Sequence, residues 1–355
     1  MKLKKILSVL LFLFLSTVFL FGEEIATDCV YRTLSLEEKE VYKKIGSAVS
    51  NNEEFVYDVL PSSKANLKVL SAYMDDHPGT FWLEEKLAYT RDKEGHTCIK
   101  LFYTHTDSLE LDKARFRLQT QLFHRFLEQD DNPWIKLYHI YDFLAKNIKY
   151  DNDYMDQSLW SVFFDGIGVC AGFARTFQYL ALQEGIPCLI VKGREKDENG
   201  NISPVLHAWV MALINNTWYQ FDPTWGLVDS IGNVDFNYFC RSDESMMRTH
   251  VIESDYPLPD CPSDRFSYVR MRHRYMDYFS ILEFSNIVQD AFEREEYAFT
   301  VEFADQTAFQ DALDYLITNG GIFDIFRNLG YSVNQLLYVK NPQNLSLKIS
   351  ASAPN

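Results

Sequence analysis

The chain has 355 residues, 47% hydrophobic, 15% aromatic and 24% charged, a globular balance that excludes intrinsic disorder, which needs low hydrophobicity and high net charge. Its length suits one sizeable core with one or two smaller units rather than a single compact sphere. A formal net charge of −16 excludes nucleic acid as a natural partner, because affinity for phosphate backbones comes from clustered lysine and arginine.

Residues 1–22 read as an export signal. Lys2, Lys4 and Lys5 are followed by an apolar run from Ile6 to Phe21, and Glu23 and Glu24 end it. The run is shorter than the roughly 20 residues a spanning helix needs. Cleavage near Gly22 would release a still more acidic protein to the periplasm, the cell envelope or the outside. Left uncleaved, the segment would be the chain's membrane contact.

Residues 23–108 read as a small α+β lead-in unit. SLEEKEVYKKIGSAV and KANLKVLSAYM have helical periodicity, and the strand-like KLAYT and TCIKLFYTH are parted by the turn RDKEGH. A central domain over 109–257 opens with two helices, the second starting at Asn132-Pro133. YPLPDCP at 256–262 reads as a linker. Residues 258–355 then form a second small α/β unit, with helices in SILEFSNIVQDAF and TAFQDALDYLITNGG and strands in YAFTVEF, QLLYVK and LSLKI. The basic run Arg270, Arg272, His273 and Arg274 reads as a solvated face.

Three stretches of the central domain carry chemistry. In GIGVCAGFARTFQYLALQEGIPCLIV, Phe173, Phe177 and Leu180 recur at helical spacing and Gly185 with Pro187 ends the pattern. Cys170 therefore opens a helix, where unpaired N–H groups and the helix dipole favour a thiolate and can hold a developing oxyanion. GIGVCAG is no phosphate loop, since it lacks GKS or GKT and the GxGxxG spacing.

In LHAWVMALINNTWYQFDPTW, Asn215-Asn216 reads as a two-residue turn joining two strands. That register sets Ile214 opposite Thr217 and Trp209 opposite Asp222, so His207 lies diagonally from Asp222 within reach of its carboxylate. Asp222 would orient the imidazole and leave its other nitrogen for a thiol. A purely structural His–Asp pair would give the same spacing, and spacing alone does not bring Cys170 to the hairpin.

Among the six cysteines there is no CxxC pair, and the histidines form no HExxH; Asp151–Asp156 lacks the glycine and glutamate of a calcium loop. We therefore expect neither metal nor cofactor. Disulfides are permitted by an exported location, with connectivity open.

GVCAGFARTF, HAWV and DPTW, in this order, resemble the three motifs of the transglutaminase-like superfamily. NIKYDND upstream and NYFCRSDESMMRTH downstream extend the resemblance over about residues 140–255. It implies an α+β, papain-like core in which a helix bearing Cys170 packs on an antiparallel sheet bearing His207 and Asp222. It further implies Cys170 as nucleophile, His207 as base and acid, Asp222 as orienter, tryptophans 209, 218 and 225 near the site, and Trp225 touching substrate. The substrate would be a protein or peptide amide. Val210 stands where many relatives carry asparagine, which puts one supporting hydrogen bond in doubt. The rival reading is a catalytically idle domain used for binding in the cell envelope.

Overall fold

Ser35 closes a capping box with Glu38, accepting from its amide while the Glu38 carboxylate accepts from the Ser35 amide, which satisfies two of the donors a helix start leaves open. The computed structural model describes residues 27–127, 130–153, 156–228, 232–333 and 335–352; the export-signal reading of 1–22 lies outside them. No helix among the described residues is long and apolar enough to cross a membrane. The chain divides into two compact units, residues up to Gln129 with Leu182–Gly185, and Asp130–Ala181 with Ile186 onward.

In the first unit α1 (Cys29–Thr33), α2 (Leu36–Asn51), β1 (Phe55–Tyr57), α3 (Ser63–Asp76), β2 (Leu83–Arg91), β3 (Thr97–Tyr103) and α4 (Leu109–Leu127) follow in order. The strands form an antiparallel sheet in the order β1-β3-β2. The Asp76 carboxylate accepts from the amides of Val30 and Tyr31 and from the Tyr42 hydroxyl, tying α3 to α1 and α2. Burial nevertheless raises its pKa to about 6.

The second unit begins with α5 (Pro133–Asn147), capped by Asn132 with proline at its start. A short parallel pair, β4 (Lys149–Tyr150) and β5 (Ile167–Gly168), leads into α6 (Cys170–Gln183). Then come β6 (Cys188–Lys196), β7 (Ile202–Ile214), β8 (Thr217–Phe221), α7 (Asp243–Met246) and β9 (His250–Ile252). Their strands make an antiparallel sheet in the order β8-β7-β6-β9. Asn215 and Asn216 both have positive φ, 48° and 64°, the conformation of a type I′ hairpin turn. The β7–β8 ladder accordingly pairs Ile214 with Thr217 and runs to Val210 with Phe221. Phe177 of α6 packs on Phe221, ring centroids 5.3 Å apart, and Gln178 Nε2 donates to the Cys188 carbonyl.

Residues after 257 hold α8 (Tyr268–Met271), β10 (Tyr275–Met276), α9 (Ile281–Glu293), β11 (Ala298–Phe303), α10 (Gln306–Leu313), α11 (Gly321–Asn328), β12 (Leu336–Asn341) and β13 (Ser346–Ala351). The sheet runs β10-β11-β13-β12, with β10–β11 parallel and the other pairs antiparallel. Phe284, Phe303, Phe309, Leu347 and Ile349 are among its buried core, and each such side chain contributes about 1.5–3 kcal/mol on burial. One residue of the basic run departs from expectation, while Arg270 and His273 are exposed. Arg274 is buried, paired with Glu296 and set over the Phe299 ring.

α4 falls in the first unit, and the segment after 257 falls in the same unit as the motif-bearing sheet.

Gly193 is where the central sheet approaches most closely. It pairs with His207 on one side and Ile252 on the other, and a Cβ there would lie 2.0 Å from the Val251 carbonyl oxygen and 2.7 Å from the Trp209 ring. Backbone cannot yield as a flexible side chain would. Gly193→Ala should cost about 2–3 kcal/mol or more, read as a lowered midpoint in denaturant melts followed by circular dichroism. Wild-type stability in this variant would show the strands are not so tightly spaced.

Candidate active site

The hairpin ends where β8 runs into Asp222-Pro223-Thr224-Trp225. Proline fixes φ at the second position and the aspartate side chain folds back over the turn. Asp222 Oδ1 accepts from the amides of Thr224 (2.8 Å) and Trp225 (3.2 Å). Its other oxygen, Oδ2, is 2.7 Å from His207 Nε2 and 3.1 Å from His250 Nε2. Asp222 is fully buried, as is His250, and His207 is nearly so.

With Nε2 given to Asp222, His207 keeps Nδ1 for other partners. The Cys170 side chain reaches the imidazole as a hydrogen-bond partner, and Glu195 Oε1 lies 3.5 Å from Nδ1. Cys170 is half-buried and is the first residue of α6, whose first internal bond runs from the Phe173 amide to the Val169 carbonyl. The amides of the first turn are thus not consumed within the helix. Tyr150 of β4 lies against the same residue, and its hydroxyl meets the Cys170 amide.

The electrostatics follow from burial and pairing. For His207, burial is the largest influence and would lower the pKa. The Asp222 charge, the Asp222 hydrogen bond and Cys170 outweigh it and raise the pKa to about 10. For Asp222, burial would raise the pKa, but the His207 charge and the bonds from His207 and His250 hold the carboxyl well below the ordinary range. The pair is an imidazolium–carboxylate ion pair. Tyr150 is pushed up to about 12, first by burial and then by the charges of Cys170, Glu195 and Asp222.

The structure brings Cys170, His207 and Asp222 together. Trp225 is half-buried; its Nε1 donates to Glu195 Oε1 at 2.7 Å, and its ring is 6.4 Å from His207 and 4.8 Å from His250. Trp209 is fully buried and stacks on His207 at 5.8 Å. Trp218, by contrast, sits opposite Leu213 near the hairpin turn. Val210 is fully buried between Ile190 and Phe221, an apolar slot that would leave an amide needing a partner. The six cysteines are all free.

Two neighbours escaped the sequence reading. His250 ends the segment NYFCRSDESMMRTH, yet nothing in its spacing says that it shares a carboxylate with His207. Glu195 has no motif, and only the β6–β7 and β6–β9 registers bring it to the site. The ligand atoms of His207, Asp222 and His250 lie within 4.8 Å of one another, a composition that suits a metal. Both Nε2 atoms are already engaged by Asp222 Oδ2, so the set is closed by its own hydrogen bonds.

Residues 120–223 match the family model described as transglutaminase-like superfamily. This segment is similar to the transglutaminase-like superfamily. The transglutaminase-like core is the α+β arrangement described above, with α6 on the β8-β7-β6-β9 sheet. Three solved structures are similar at low identity. One is a candidate cysteine protease from Cytophaga hutchinsonii (16% identity, 39% of this chain and 61% of that one, TM-score 0.27). Another is the periplasmic domain of TgpA from Pseudomonas aeruginosa bound to ethylmercury (20%, 31% and 44%, TM-score 0.27). A third is a TGase (18%, 41% and 45%, TM-score 0.27). The chain thus spans about half the length of these structures. No curated protein sequence matches the chain.

The ion pair fixes how stability depends on pH. The folded pKa of His207 is raised, so its contribution is complete below about 6.5 and is lost as pH rises through about 10. That of Asp222 is depressed, so its contribution is present above about 4 and is lost only in strong acid. Asp222→Asn should therefore cost about 3 kcal/mol near pH 6, with a deficit that shrinks toward pH 10. Thermal melts of both proteins over this range would test it, and a deficit that stays flat would deny the ion pair.

Proposed function

We propose that the chain is an exported thiol enzyme that transfers an acyl group from a peptide or glutamine-type amide through a thioester on Cys170. The convergence of Cys170 and Asp222 on the imidazole of His207 carries this reading. The Cys170 sulfur would attack the amide carbonyl, and the developing oxyanion would lie near the amides of the first turn of α6. Collapse breaks the C–N bond, and the leaving amine takes its proton from the His207 imidazolium. What remains is a thioester and a neutral imidazole.

The second half reverses the roles. His207 accepts a proton from the incoming water or amine as it attacks the thioester, and the sulfur departs as thiolate, restoring the pair. Asp222 keeps the ring in one orientation through both halves, and Trp209 stacked on the imidazole limits its rotation. Water as acceptor makes a peptidase or amidase; an amine makes a crosslinker. The residues the triad contributes are the same for both, so the acceptor is decided by what surrounds the thioester.

Cys170→Ala should fold like wild type and lose all acyl transfer and all thioester adduct. In wild type, iodoacetamide should label Cys170 stoichiometrically at pH 7, and His207→Ala should slow that labelling by about tenfold or more. Equal rates would favour an idle binding domain. For export, mass spectrometry of the protein recovered outside the cytoplasm should find a mature start close to Glu23. Retention of Met1–Phe21 would indicate an anchor instead.

A further inference from the structure

α4 carries large apolar side chains on two arcs. Phe116 and Leu127 are buried, whereas Leu111, Leu118, Leu122 and Phe126 are 64%, 60%, 53% and 52% exposed. At 3.6 residues per turn these four fall within about 80° of arc along about 23 Å of helix. A surface helix keeps one apolar stripe for its core and turns polar side chains outward. A second stripe of this length marks a surface that something else covers.

The charges beside the stripe decide what covers it. Within about 60° of its centre the only charged residues of α4 are Arg115 and Arg125; Glu110 and Lys113 lie farther round and pair with each other. The Arg115 side chain is 54% exposed, and its 3.3 Å contact with Asp112 is a surface pair of little strength. Arg125 is exposed, and among the described residues no carboxylate pairs with it. A second copy laid on this face would set arginine against arginine with no acid between the stripes. An anionic lipid surface meets both features, because guanidinium forks match phosphate oxygens while the arginine stems lie along the leucines. The overall charge of −16 opposes approach to such a surface, so the attraction has to come from the stripe itself.

We propose that α4 is an interfacial helix that seats the protein on an anionic phospholipid membrane. Leu111, Leu118, Leu122 and Phe126 enter the acyl layer, and Arg115 and Arg125 meet the headgroup phosphates. The contact requires neither acyl transfer nor residues 1–22.

Photolabelling of the full-length chain tests this. Vesicles carry a phospholipid with a diazirine in its acyl chain, and the adducts are mapped to peptides by mass spectrometry. Phosphatidylglycerol mixed with phosphatidylcholine makes the anionic arm, and phosphatidylcholine alone the neutral one. Mapping separates α4 from residues 1–22, whose adducts, should they form, serve as an internal reference. Adducts on 111–126 should be about tenfold or more abundant in the anionic arm and should fall as salt rises. One arginine near such a surface is worth about fivefold, so Arg125→Gln should cut the anionic preference by that factor.

Leu118→Ser combined with Leu122→Ser should remove the α4 adducts and leave the thermal melt where it was, because neither side chain is held in the core. Absence of adducts on 111–126 in the anionic arm at low salt overturns the proposal. So does equal labelling in the two arms, or an anionic preference that Arg125→Gln leaves intact. Sedimentation equilibrium identifies the rival occupant: a wild-type dimer that the double variant abolishes, with α4 unlabelled, assigns the face to a second copy of the chain.

Discussion

A carboxylate with no exposure to water is the feature on which the rest of the site depends. Leaving Asp222 ionised without partners would be prohibitively costly, so its four accepted hydrogen bonds are conditions of folding as much as of chemistry. They come from three parts of the chain: the Thr224 and Trp225 amides of its own turn, His207 in the middle of β7, and His250 at the start of β9. None of these can move alone without leaving the charge unsatisfied. The geometry that orients the imidazole toward Cys170 is therefore imposed by the energetics of the core.

The second imidazole changes how that carboxylate is shared. His250 Nδ1 is 2.8 Å from the Thr249 hydroxyl and its Nε2 meets Asp222, so both ring nitrogens are engaged and the ring is locked. A locked donor on the same oxygen that serves His207 limits where Oδ2 can sit. Trp209 packs against both rings, 5.8 Å from His207 and 4.9 Å from His250, and restricts how either can turn. Orientation of the base thus has a steric part and a hydrogen-bonded part.

What the sequence made legible were the features set by local rules. The Cys170 helix start, the Asn215-Asn216 turn and the register carrying His207 toward Asp222 each follow from spacing and turn chemistry within about twenty residues. The three ordered motifs supplied the remaining step, which spacing could not, of bringing α6 to the hairpin. His250 and Glu195 were not legible because they come to the site through pairing of β6 with β7 on one edge and β9 on the other. Strand order is a long-range property that period-2 patterns leave undetermined. The burial of Arg274 was hidden for a related reason: a run of basic residues looks the same whether it faces solvent or pairs with Glu296 inside a fold.

Long-range contacts also tie the C-terminal sheet to the central one, across the Pro-rich stretch. Arg241 is nearly inaccessible and its guanidinium clasps Glu302 of β11 through two nitrogens, at 2.7 and 3.0 Å. Burial would lower the Arg241 pKa, but Glu302 and Asp264 hold it above its ordinary value. The Arg241 backbone in turn exchanges both hydrogen bonds with Gln220 of β8, and Gln220 Oε1 accepts from the indole of Trp209. A line of direct contacts therefore runs from β11 through Arg241, Gln220 and Trp209 to the face of His207. Removing β11 would strand a buried guanidinium, a loss of about 3–5 kcal/mol for a broken buried pair, two contacts away from the ring that stacks on His207. The segment after residue 257 acts as part of the scaffold that holds the base in place.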